Sequence, residues 1–392
     1  MEETDVPEMH VKQTVRVFAA ASFLHDIGSD MIFSVWPLFL TQVLGANMAV
    51  VGFIDGLGDT IVSISQAVSG YLSDRIRKRK IFVWMGYLLG GIARIGYALA
   101  PSWQWIIPFR ILDRSGKMRG APRDAMLSDV STRENRGRHF GILRAMDNAG
   151  AVVGIILSIL LIERIGYSSL FLTAAVPSIL AVLLVLTFVR ESTSSTRIFK
   201  GVRLTDFTHD LKLYTILSAL FSLGNFSYSF LLLVARQAGF TVGSIPVLYL
   251  LFTLMAALFS LPFGKLADKF NRKAVLLCSF ILWAGVSTLL LLSHSTTAII
   301  VSFVLYGLHK AAHDPVQKAF AAELAPKDFV ASTLGGFQMV IGLCSLPASL
   351  MAGLIWDRIG MMMPFLLSLI LTVFSSFLLL FVTEGKKSRR PS

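Results

Sequence analysis

The side chains best able to do chemistry in this 392-residue chain lie inside its apolar runs. Asp26 and Asp30 stand four residues apart with His25 beside them, and Asp55 and Asp59 repeat that spacing in the next run. A four-residue spacing puts both carboxylates of a pair on one face of a helix. Further on, RILDRSGKMRGAPRDAMLSD (residues 110–129) carries Arg110, Asp113, Arg114, Lys117, Arg119, Arg123, Asp124 and Asp129. The helical period gathers Arg110, Asp113/Arg114, Lys117, Ala121 and Asp124 on one stripe. Charge at membrane depth is expensive, so it faces a cavity or pairs with opposite charge. Two carboxylate pairs opposite the Arg114/Lys117 stripe form one mixed-charge cluster. Desolvation favours a neutral carboxyl and a nearby cation favours the ionised one, so moving Arg114 or Lys117 would exchange a proton. The competing account is a static ion-pair network that sets helix register. Asp30 and Asp59 are the first choices by depth.

Four further groups belong beside these. Arg144 and Asp147 sit nearer the end of their run and fit a gate or a salt bridge. His309 and His313, in HKAAHD, share a helical face. Two ligands make a poor metal site; polar lining of a cavity fits better, with a proton relay through histidine open. Gly150 and Gly154 in GAVVG let helices approach closely. Cys278 and Cys344 fall within apolar runs and read as two buried thiols. No metal or cofactor is expected.

These residues need helices to position them, and the composition supplies little else. The chain is 54% hydrophobic and only 15% charged, with a mean hydropathy of +0.68; a soluble domain carries about a quarter charged residues. Runs such as Leu213–Val234 and Pro364–Val382 are long enough to cross a hydrocarbon core, which takes about 20 residues. The runs and their punctuation give twelve spans, near 14–41, 48–72, 80–100, 104–130, 138–162, 167–189, 210–236, 245–267, 272–293, 297–324, 329–356 and 361–383.

Lys and Arg alternate between the loops. Arg75, Arg77, Lys78, Arg79 and Lys80 fill one; Arg133, Arg136 and Arg138 the next; Arg197, Lys200 and Arg203 a third; Lys269, Arg272 and Lys273 a fourth. The intervening TQVLGANM, APSWQW and SHSTTA hold none. Basic loops stay in the cytoplasm, so both termini are expected there, in the cell membrane. The net charge of +12 therefore reports topology and not nucleic-acid binding. MEETDVPEMH lacks the basic start of a signal peptide, so the first span is expected to remain.

The two halves repeat. GYLSDRIRKRK from Gly70 and GKLADKFNRK from Gly264 are offset by 194 residues, as are ERIG from Glu163 and DRIG from Asp357. The expected division is a six-helix bundle over 1–190, a cytoplasmic linker over 191–209, a second bundle over 210–385 and a basic tail over 386–392. On these motifs the chain resembles the major facilitator superfamily over essentially its whole length. The loop signature G-x-L-x-D-(R/K)-x-G-R-K stands here as Gly70, Leu72, Asp74, Arg75, Lys78 and Arg79, with an echo at Gly264, Leu266, Asp268, Lys269, Arg272 and Lys273. Its inner glycine is Arg77 in the first copy and Asn271 in the second. Arg tolerates a left-handed turn poorly, so the first loop is expected to differ in shape. The stretch D-R-x-G-K-x-x-R-x-x-P-R-D, Asp113 to Asp124, and LHDIGSDMIFSVWPLFL resemble a bacterial and archaeal subgroup.

The resemblance implies an all-α membrane protein with twelve transmembrane helices in two pseudo-symmetric six-helix bundles, moving a small molecule by alternating access. It implies a cytoplasmic gate at Asp74 and Asp268, with Arg123 and Asp124 as partners. The fifth span departs from the antiporter branch, since Ile155 follows Gly154 where that branch has proline. Proton coupling and export are expected, with protons, a small-molecule substrate and the lipid bilayer as partners and a monomeric state. No G-x-x-x-x-G-K-(S/T) or catalytic triad is present, which argues against an ATPase or an enzyme. An uncoupled uniporter and a non-transporting receptor or assembly factor are the alternatives.

Overall fold

A backbone in hydrocarbon must satisfy its polar groups within the segment, and these apolar runs do so as helices. The computed structural model describes residues 8–132, 135–191, 208–326 and 330–383, and every regular element among them is helical. The first span is α1 (Glu8–Phe33), a short α2 (Trp36–Leu38) and a π-helical turn at Phe39–Val43. Then come α3 (Met48–Ile76) and α4 (Lys80–Leu99). The fourth span is α5 (Trp103–Ser115), a 3-10 turn (Gly116–Arg119) and α6 (Gly120–Asp129). Spans five and six run together as α7 (Arg136–Phe188), turning at Gly166 with φ 72° and ψ 177°. The seventh is broken into α8 (His209–Gly224) and α9 (Ser229–Gln237). The rest are α10 (Ile245–Lys269), α11 (Arg272–Leu292), α12 (Thr296–Leu324), α13 (Val330–Arg358) and α14 (Met363–Leu380). Eight of the described helical stretches are long and apolar enough to cross a membrane. The expected linker and tail fall largely outside the described residues.

The chain forms two compact units. The first holds Met1–Ala46, Leu57–Phe199 and Phe240–Leu250; the second holds Asn47–Gly56, Lys200–Gly239 and Leu251–Ser392. Both α3 and α10 are thus divided, a point the repeat boundaries do not reveal. The first unit has an apolar core of Val15, Phe18, Val83, Tyr87, Met126, Leu143, Val182 and Val185 near the basic loops.

The two loop motifs differ in a way contrary to expectation. Arg77 takes φ 55°, so the left-handed turn is kept with an arginine in it, at a cost of roughly 1–2 kcal/mol. Asn271 is extended, at φ −161°, and its side chain caps α11 by accepting from Ala274 N at 2.8 Å.

Candidate functional site

The buried charge of the first unit is arranged in depth. Arg94, on α4, is 1% exposed. Its Nη1 donates to Ala174 O at 3.0 Å and to the Ser178 hydroxyl. Its Nη2 donates to His25 O at 3.0 Å and Ser29 Oγ at 2.7 Å, with His25 Nε2 at 3.3 Å. Space for it exists because residue 28 is glycine: a Cβ there would overlap both Ala174 O and the guanidinium. Sequence reasoning passed over Arg94. Its available signal was a lone arginine inside an apolar span, but every hydrogen-bond acceptor around it is uncharged, so no charge pairing pointed to it.

The fourth span departs from the predicted stripe. A 3-10 segment advances about 120° per residue against about 100° in an α-helix, so Gly116–Arg119 shifts the register by roughly 80°. The turn sits where α4 crosses closely: a Cβ on Gly86 would lie 2.5 Å from Gly116 O. Arg119 Nη1 donates to that same carbonyl at 3.1 Å. Before the turn, Arg110 lies over the rings of Trp36 (4.7 Å) and Phe33 (5.4 Å), and Arg114 over Phe33 (4.4 Å), with Asp113 3.7 Å from Arg114 Nε. After it, Arg119 packs over Tyr87 at 4.9 Å and reaches Asp26 at 3.8 Å. Lys117 has no carboxylate within 4.0 Å among the described residues, although Asp26 and Asp113 are within electrostatic reach.

Asp30, one turn along from Asp26, is held differently. Its Oδ1 accepts from the Tyr249 hydroxyl at 3.0 Å, and Tyr249 belongs to the same unit. Among the described residues no cation lies within salt-bridge distance of Asp30. Neutralising this acid would break no ion pair, although Lys117 and Arg94 act on it at longer range.

Asp55 and Asp59 stay one turn apart on the unbroken α3, but in different settings. Asp59 is exposed and belongs to the first unit, whereas Asp55 is 3% exposed and belongs to the second. Asp55 Oδ2 accepts from Ser227 at 2.7 Å and Ser229 at 2.5 Å, where the seventh span is broken. A carboxylate at the start of α9 suits the positive end of that helix. The start of α3 is tightly packed: Cβ atoms on Gly52 and Gly353 would overlap Ser349 O and Met48 O.

At the basic end, Arg123, Asp124, Arg144 and Asp147 come together, two pairs that the sequence suggested separately. Arg123 lies 3.2 Å from Asp124 and 3.5 Å from Asp147; Arg144 lies 3.3 Å from each acid. Arg123 also donates to Ser22 Oγ at 2.6 Å. It does not meet Asp74, whose partner is Arg79 at 2.7 Å; Arg79 also bridges to Asp129 at 2.5 Å. The second copy matches: Arg272 joins Asp268 (3.3 Å) and Glu323 (3.0 Å). Arg75 is exposed, and Lys269 lies over Phe270 at 5.5 Å. Gly70 faces Ala121, while a Cβ on Gly264 would meet nothing within 4 Å.

His309 and His313 share a face with ring centroids 5.2 Å apart, among Phe221, Phe280 and Trp283. His309 Nδ1 bonds Ser279 O at 2.8 Å, and both Nε2 atoms are buried without a hydrogen-bond partner among the described residues. No group of three His, Cys, Asp or Glu side chains suited to a metal occurs among the described residues.

Comparison with known proteins accounts for this architecture. The model of the Major Facilitator Superfamily matches residues 18–212 and again 213–392. An uncharacterized MFS-type transporter of Methanocaldococcus jannaschii is 39% identical over 97% of this chain and 98% of its own. A multi-drug resistance efflux pump of Streptococcus pneumoniae is 25% identical over 47% of each chain. The crystal structure of the nucleoside transporter NupG superposes with a TM-score of 0.75 at 16% identity, covering 94% of this chain and 97% of that one. A family model that spans both repeats and a relative that matches nearly end to end leave one conclusion: the chain belongs to the Major Facilitator Superfamily and is a multi-pass membrane transporter.

Proposed function

We propose that this transporter is a proton-coupled exporter of a small molecule, working by alternating access with Asp30 as its proton-binding group. The observation that carries the proposal is the environment of Asp30: a carboxyl at membrane depth whose hydrogen-bond partner is the Tyr249 hydroxyl and not a cation. Neighbouring Asp26 has Arg119, Asp113 has Arg114, and Asp124 and Asp147 share Arg123 and Arg144. Such paired acids are costly to neutralise, because each would leave a buried cation alone. For Asp30 that penalty is smaller, since no direct ion pair is broken. Arg94 holds the helix that carries it, so the acid is presented from a fixed backbone.

Export rests on likeness to a named efflux pump over about half the chain. The alternation of Lys and Arg supports a protein of the cell membrane with both termini in the cytoplasm. There the Arg79 and Arg272 bridges and the Arg123–Arg144 cluster serve as the cytoplasmic gate. We assign the protein as a monomer of two bundles.

Thermal-shift screening of purified protein against metabolites and drugs supplies a substrate, which is then loaded into proteoliposomes. An imposed pH gradient is expected to drive its movement, and collapsing that gradient with a protonophore to stop it. Movement indifferent to the gradient would leave an uncoupled uniporter.

A further inference from the structure

The motif E/D-R-I-G occurs at matching positions in the two repeats, and the loop signature does not explain it. Both of its glycines, Gly166 and Gly360, adopt positive φ, 72° and 151°, so each motif turns the chain at the end opposite the basic loops. The turn aims the leading acid at the start of another helix. Asp357 accepts from Met48 N at 3.1 Å with Oδ1 and from Ala49 N at 2.8 Å with Oδ2. Those are the first two residues of α3, whose opening N–H groups have no partner within the helix. Glu163, the repeat mate of Asp357, meets the matching place before α10. A Cβ built on Gly243 would overlap Glu163 Oε1, so the carboxylate lies against that backbone because residue 243 is glycine.

Each contact lies within one compact unit, and each involves a segment its unit takes from the other repeat. Asn47–Gly56 is counted with the second unit alongside Asp357, and Phe240–Leu250 with the first alongside Glu163. The Asp357 contact is backed by close glycine packing. Besides Gly52 and Gly353, a Cβ on Gly56 would come within 2.7 Å of Ser345 O and Leu346 Cα.

We infer that Glu163 and Asp357 are paired gate residues at the face opposite the basic loops, each clamping the start of the other repeat's second helix. They hold that face closed and release it when the face opens. The inference rests on the alternating-access reading. Asp357, which accepts two helix N–H groups, suits a latch, and Glu163 lies at the matching place. It satisfies donors and opposes the helix dipole while engaged, and water takes over both tasks once it leaves.

The test is double electron–electron resonance in lipid nanodiscs, in protein lacking Cys278 and Cys344. Spin labels go at Gln104 and Thr297, exposed positions at the starts of α5 and α12. Asp357→Ala and Glu163→Ala are each expected to raise the ratio of open to closed distances by roughly 2- to 30-fold, the range for a lost helix cap, and the double variant further still. Asp357→Asn keeps a capping oxygen and should stay near wild type. Gly243→Ala displaces the Glu163 carboxylate and should shift the ratio as Glu163→Ala does, which keeps the test open if an acid-less variant fails to fold. An unchanged distribution in the double variant and in Gly243→Ala overturns the latch. If wild type nevertheless shows two distances, alternating access survives that result. If no protein shows a second distance, the reading beneath the latch fails as well.

Discussion

Asp30→Asn is expected to abolish movement of substrate driven by a pH gradient, down to the level of protein-free vesicles, while substrate exchange persists. The amide is close to isosteric and retains the hydrogen bond from Tyr249, so geometry survives and only the titrating proton is lost. Exchange needs the substrate site and the conformational cycle but no net proton transfer. Asp26→Asn makes the useful contrast. Asp26 lies 3.8 Å from Arg119, so its neutralisation leaves a buried guanidinium short of a counter-charge. It should reduce folded yield and exchange together. If Asp30→Asn retains gradient-driven movement, Asp30 is not the coupling group.

The second large effect is expected at Arg94. Arg94→Leu removes a guanidinium that bonds two carbonyls and two hydroxyls across three spans. Interhelical hydrogen bonds in membranes are worth about 0.6 kcal/mol each, up to about 1.7, so losing this set should cost on the order of 3 kcal/mol. Thermal unfolding in detergent should show a clear fall in midpoint. Arg94→Lys should recover part of it, because an ammonium keeps the charge but lacks the flat fork that serves two helices at once. A Leu variant as stable as wild type would mean the bonds are replaced by water, and Arg94 would not be what fixes the Asp30 helix.

Much of the fold was legible in the sequence, since span lengths and loop charges follow from the hydrocarbon thickness and the cost of moving cations across it. The repeat was equally legible, and the acids follow it: Asp74 and Asp268, and Asp129 and Glu323, hold matching positions and are bridged by one arginine in each copy, although Arg79 and Arg272 stand one residue out of register. The cluster of Arg123, Asp124, Arg144 and Asp147 was legible only as two separate pairs, because the sequence shows their charge and depth but not which spans meet.

Other features were not legible, each for a local reason. The stripe on the fourth span assumed one continuous helix, and the 3-10 turn depends on a contact with Gly86, which lies in another span. Spacing places Asp55 beside Asp59 but does not reveal that close packing at glycines 52, 56 and 353 surrounds the start of α3, with Asp55 buried and Asp59 exposed. Arg94 was silent because its partners are backbone and hydroxyl groups. Tyr249 was missed as the partner of Asp30, being 219 residues away in sequence. Arg77 defied its own backbone preference, since the turn is imposed by the helices on either side and by the bridge from Arg79 to Asp129.

Proton release on substrate binding tests the central claim most directly. Purified protein in weakly buffered detergent solution, with a pH-sensitive dye, is mixed with the substrate found by screening. Wild type should release about one proton per protein when substrate displaces it from a single carboxyl, and Asp30→Asn should bind substrate and release none. Release of the same size from the Asn variant, or substrate binding to wild type with no release, would contradict the assignment of Asp30 as the coupling site.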